Sequence, residues 1–203
     1  MCYSAESSGG TFLFVFVVAA FIAFGKGQPA LALLLVVLAS MQLLEWVIWS
    51  STPVCTPLNY LASSAIPVVL ALQPTLIALL LWQFDAGYAS PHLYRWLFYF
   101  GCVATAALVA HAIRVPRSSC VAPSERGHLN WDLESSFFTA FQVAYYPAMA
   151  FLMLSLKPWA LGVTLFAGYF LSWVYYRTRF PGEWPSLWCH GINAGAVVAL
   201  VAG

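Results

Sequence analysis

A chain of 203 residues with 62% hydrophobic and 7% charged residues has too little polar surface to cover a water-facing globule, since a soluble domain carries about 25% charge. The mean hydropathy of +0.82 points to an integral membrane protein. A net charge of +1 with no basic stripe or cluster excludes nucleic acid as a partner.

Crossing the hydrocarbon core as a helix takes about 20 apolar residues. Seven such runs follow one another: Thr11–Gly25, Pro29–Trp49, Tyr60–Phe84, His92–Ile113, Ser135–Leu156, Pro158–Tyr176 and Trp184–Ala202. The expected fold is an all-α membrane protein, a single transmembrane domain over residues 1–203 built as a bundle of these helices. The first run has the length of a signal peptide, but Met1–Gly10 carries no positive charge and the apolar stretch ends at Lys26 rather than at a small-residue cleavage site. It reads as a mature helix. The connections are short except for Arg114–Glu134, which contains Asn130-Trp131-Asp132. With no linker, low-complexity tract or fixed repeat, any chemistry is expected at or within the bundle.

An odd number of spans puts the two termini on opposite sides. The N-terminal side then carries Arg114, Arg117, Arg126, Arg177 and Arg179, against Lys26, Arg95 and Lys157 on the other. This excess favours a cytoplasmic N terminus.

Glu45 stands out as the sole charged residue between Lys26 and Asp85. A carboxylate at the bilayer centre costs about 2.5–3.5 kcal/mol on insertion scales, so an intramembrane acid marks a candidate site. The alternative is a structural contact to Gln42, Gln73 or a tryptophan indole, holding helices together at about 1 kcal/mol. Helix direction places Glu45, His111, Cys189 and His190 in the membrane half nearest the N terminus, with Cys2, Cys55 and Cys120 on the same side. The candidate ligand pocket is therefore Glu45, Gln73, His111, Trp131, Trp188 and Cys189.

Cysteine clustering has two readings. In an oxidising compartment Cys2, Cys55, Cys120 and Cys189 form two disulfides, in one of three pairings; in the cytoplasm they stay reduced. Thiolate, imidazole and carboxylate are also metal ligands, which makes Cys2, Glu45, His111 and Cys189 a candidate metal set and a metal ion the candidate cofactor. Adjacent residues on a helix point about 100 degrees apart, so Cys189 and His190 do not naturally share one ion. No Cys-x-x-Cys, His-x-x-x-His or His-Glu-x-x-His occurs. Cys102, in mid-span, reads as packing. His92, Trp49, Trp82, Trp131, Trp184 and Trp188 read as interfacial, the tryptophans in aromatic belts.

Gln73-Pro74 and Tyr146-Pro147 interrupt helical hydrogen bonding in the third and fifth spans, and Gly191-x-x-x-Gly195 lets a helix approach the seventh closely. Several segments resemble one family: Met1-Cys2-Tyr3-Ser4, Gln42-x-x-Glu45, Cys55-x-Pro57-x-Asn59 leading to Gln73-Pro74, and Glu183-Trp184-Pro185-Ser186-x-Trp188-Cys189. These are similar to an uncharacterised family of small, mainly bacterial, polytopic membrane proteins that begin Met-Cys-aromatic-Ser. The resemblance runs over nearly the whole chain and implies a shared fold, with no reaction, substrate or cofactor attached.

Three functions compete. The first is a ligand- or metal-binding helical bundle with a polar pocket near its N-terminal side. The second is an accessory or structural subunit of a larger membrane complex, whose partner is another membrane protein or a second copy of the chain. The third is an intramembrane enzyme acting on lipid or thiol chemistry, with Glu45 or His111 as general acid/base and Cys189 or Cys2 as nucleophile. A transporter is weaker, because no paired halves with interrupted helices are seen. Retinal chemistry is excluded, because the seventh span has no lysine.

Overall fold

The structure, a computed structural model, describes residues 4–115, 120–124, 129–131, 136–179 and 188–202. Among them are seven helices: α1 (Ala5–Gly25), α2 (Pro29–Ser51), α3 (Pro57–Gln83), α4 (Pro91–Arg114), α5 (Ser136–Leu154), α6 (Trp159–Arg179) and α7 (Trp188–Ala202). The first four are long and apolar enough to cross a membrane.

Local chemistry sets the starts. Ser4, Thr56 and Ser90 accept from the backbone N–H groups of Ser7, Asn59 and His92, satisfying donors that the first turn leaves open. Pro29, Pro57 and Pro91 occupy first-turn positions where a missing N–H costs nothing. Gly27, at φ +66°, takes the left-handed conformation that turns the chain from α1 into α2. The Ser4 cap also corrects the first predicted span: α1 begins at Ala5, six positions before Thr11, although its first turns are too polar and small to register as an apolar run. The seventh helix is described from Trp188 onward, and its expected start at Trp184 lies outside the described residues.

Successive helices alternate in direction. Gly9 at the start of α1 lies against Trp46 near the end of α2, and Gly101 of α4 lies against Thr75 of α3. In the second half, Gly162 of α6 approaches the Met153 carbonyl of α5, and a Cβ on Gly168 would come within 2.5 Å of the Gly191 Cα. That glycine contact is the close approach expected of the seventh helix. The first and last helices run parallel: Asn193 Nδ2 donates to Thr11 Oγ1 at 3.2 Å near their starts, and Lys26 Nζ donates to the Leu200 carbonyl near their ends. One end of the bundle thus gathers the starts of α1, α3, α5 and α7 and the ends of α2, α4 and α6; we refer to it as the N-terminal end.

At the opposite end, the α3–α4 and α5–α6 turns are pinned together. Tyr88 N–H donates to the Ser155 carbonyl, Lys157 N–H to the Ala86 carbonyl, and the exposed Lys157 ammonium lies 3.7 Å from Asp85. A large apolar core, including Val15, Leu35, Leu38, Ile77, Leu165 and Ile192, fills the bundle between the two ends.

The α4–α5 connection is more than a linker. Ala122–Pro123 and Leu129–Asn130 pair as a two-residue antiparallel hairpin, β1 and β2. Val121, Leu129 and Trp131 are buried against Met41 and Ile48 of α2 and Ala62 and Ile66 of α3. Two bonds hold this loop down. Cys55 and Cys120 form a disulfide with Cα atoms 5.6 Å apart, and Val121 N–H donates to Ser63 Oγ at 2.9 Å. Ser63 in turn donates to Asn59 Oδ1, so a buried polar pair on α3 receives the incoming chain.

Candidate functional site

On α2, Met41, Glu45 and Ile48 recur at i, i+4 and i+7 and therefore share one face, with Gln42 one turn before Glu45. Glu45 and Gln42 are each 1% exposed. Facing them, α1 brings Ser8 and Thr11, three positions apart and so on one face, and Ser8 is fully buried. The Ser8 hydroxyl lies next to the Glu45 carboxyl.

Their proximity follows from the next residue along each helix. A Cβ on Gly9 would fall 2.8 Å from the Trp46 ring, so the missing side chain lets α1 settle onto α2 at this level. Asn193 completes the group from α7 through its bond to Thr11. Carboxylate, hydroxyls and carboxamides thus meet where α1, α2 and α7 converge. The hydroxyls and carboxamides around the acid both donate and accept hydrogen bonds, so the acid itself sets the preference, for a cation or a donor-bearing group rather than an anion.

The loop closes the site from above. Trp131 is 5% exposed and belongs to the cluster that includes Met41 and Ile48, the neighbours of Glu45 on its own face. It is a core side chain of the folded loop, not a residue of an aromatic belt, because the hairpin and the disulfide turn the loop inward.

Other candidates are distributed differently. Gln73 forms a separate polar node: its Nε2 donates to the Val37 and Leu38 carbonyls at 3.3 Å, and its Oε1 accepts from Tyr145 at 3.1 Å. Those carbonyls precede Glu45 by seven and eight positions, or about 10–12 Å along the helix at ~1.5 Å per residue. Gln73 therefore links α2, α3 and α5 two turns deeper than Glu45. His111, half-buried in the last turn of α4, lies behind α3 as seen from α2, since α4 packs along α3.

Trp188 and Cys189, with His190, form the first turn of α7, one turn before Asn193. Their side chains, and Cys2 altogether, lie outside the described residues. Among the described residues no three His, Cys, Asp or Glu side chains gather as a metal site would require. Cys102 is exposed on α4 rather than packed, because only Tyr94 and Leu108 of that helix are buried.

Ser8, Thr11 and Asn193 are absent from the sequence-derived set. The signal was present in the hydroxyl spacing Ser8, Thr11, but Ser8 falls ahead of the apolar run that marks the span and Thr11 only opens it. Comparison with protein-family models, with characterised protein sequences and with solved structures gives no match, and the site is read from its own geometry.

Proposed function

We propose that this chain is a seven-span integral membrane protein that binds a ligand at Glu45, between the N-terminal ends of α1 and α7 and the end of α2. The ligand class is a small molecule, lipid headgroup or metal ion presenting positive charge or hydrogen-bond donors to the carboxylate. The observation that carries this reading is the burial of Glu45 on the α2 face covered by the disulfide-tethered loop, with Ser8 of α1 next to it and Asn193 of α7 bonded to Thr11 one turn along α1. Burying an acid among apolar helices is costly, and that cost is expected to be met by function. The alternating helix directions support seven crossings, and the resemblance to the Met-Cys-aromatic-Ser family supports the same architecture.

The Cys55–Cys120 disulfide also bears on orientation. Disulfides persist in oxidising compartments, so we assign the N-terminal end to the extracytoplasmic face of a bacterial inner membrane. This reverses the orientation expected from five basic residues against three. A covalent bond that needs an oxidising environment outweighs so small a charge excess.

Glu45→Gln tests the proposal. Native mass spectrometry of the purified protein should find a bound species on the wild type that is lost from the variant, with thermal unfolding little changed. The same bound state in both proteins would remove Glu45 from the site.

A further inference from the structure

A cavity lies away from Glu45, between α3, α4 and α5. It encloses about 250 Å³, and its walls carry small side chains from all three helices: Ala71, Gly101, Ala104, Ala144 and Ala148. Thr75 and Tyr145 are the polar side chains that line it. Both are spoken for, Thr75 Oγ1 donating to the Ala71 carbonyl at 2.8 Å and Tyr145 to Gln73. Neither hydroxyl has a donor left for a polar ligand.

The slot opens sideways. α4 packs along α3 but spreads away from α5, and Phe100, which lines the slot, is 63% exposed. Phe100, with the exposed Ala107 and Ala144, marks the open side that faces the bilayer in the proposed membrane setting. Size then selects the occupant. An apolar cavity of about 150 Å³ takes one benzene, so 250 Å³ holds roughly ten carbons. That matches one hydrocarbon chain and is far too small for a helix about 10–12 Å across.

We infer that the slot between α4 and α5 holds an acyl tail of a bilayer phospholipid, entering from the membrane. The inference rests on the reading of the chain as a membrane-embedded bundle and is independent of the ligand proposed at Glu45. The lipid acts as a filler of the fold, joining α4 to α5 where side chains do not.

The full-length protein is purified in mild detergent and co-purified lipid is counted by native mass spectrometry. The wild type should retain a phospholipid in the slot, whereas Ala104→Phe and Ala148→Phe, which fill it from opposite walls, should retain at least about five-fold less. Wild-type protein stripped of lipid provides a test without substitution. Adding dioleoyl phosphatidylcholine should raise its melting temperature by about 3 °C, and glycerophosphocholine, the same headgroup without tails, should not. Equal retention in the filled variants, a response to the headgroup alone, or a dimer that the filled variants dissociate would each overturn the inference. Recovery of the chain in the carbonate-resistant membrane fraction, with no lipid in the slot, defeats this inference and leaves the membrane reading standing; recovery in the soluble fraction defeats both.

Discussion

Ser8 of α1 and Glu45 of α2 lie next to each other in the buried interface of the first two helices, one residue ahead of the point where Gly9 lies against the Trp46 ring. Their closeness depends on that contact. Gly9 sets how near α1 comes to α2, and so how near the hydroxyl comes to the acid.

Gly9→Ala should therefore destabilise the protein by about 1–3 kcal/mol, the usual cost of overpacking, because the added Cβ meets the Trp46 indole. Gly10→Ala is the internal control. A Cβ there meets nothing within 4 Å, and the better helix former should stabilise α1 by about 0.5–1 kcal/mol. Thermal unfolding of both variants in one detergent checks the pair, and equal shifts would contradict the close contact at Gly9.

Gln73 and Tyr145 should behave as a coupled unit. Hydrogen bonds between membrane helices contribute about 0.6 kcal/mol on average and up to about 1.7. Tyr145→Phe should cost an amount in that range, Gln73→Leu more because two bonds to α2 go as well, and the double variant less than the sum. A double-mutant cycle with no interaction energy would show that the bond contributes nothing to stability.

With Cys55 joined to Cys120, one pairing remains for the other two cysteines assigned to the oxidising side. Reduction of the intact protein should raise its mass by about 4 Da, about 2 Da for each of Cys55–Cys120 and Cys2–Cys189. Cys102 should be the thiol alkylated without reduction, by a membrane-permeant reagent, since it is exposed on α4. Four unpaired thiols at Cys2, Cys55, Cys120 and Cys189 would contradict the extracytoplasmic assignment of the N-terminal end.

Hydropathy alone made the helices legible, and the ends of α2, α3 and α4 fall within a few residues of the expected spans because prolines at their first turns mark them. The start of α1 was hidden: Ser4, Ser8 and Gly9 are polar or small, and their burial against α2 is a tertiary fact that a hydropathy window does not weigh. Glu45 was legible because a lone acid in an apolar run has few neighbours to confuse it. Its surroundings were not. Membrane depth grouped Gln73, His111 and Glu45 on one side, but depth does not say which helices are lateral neighbours, and α3 separates His111 from α2. The inward fold of the loop was equally hidden, since Val121, Leu129 and Trp131 are too scattered among polar residues to announce a core.

The most direct measurement is a high-resolution map of the protein purified with its native lipids. The account predicts density that is not protein within about 2.6–3.2 Å of the Glu45 carboxyl, bounded by α1, α2 and α7 beneath the Trp131 loop. A Glu45 carboxyl bonded to protein side chains alone, with no additional density, would contradict it and leave the acid as a structural contact between helices.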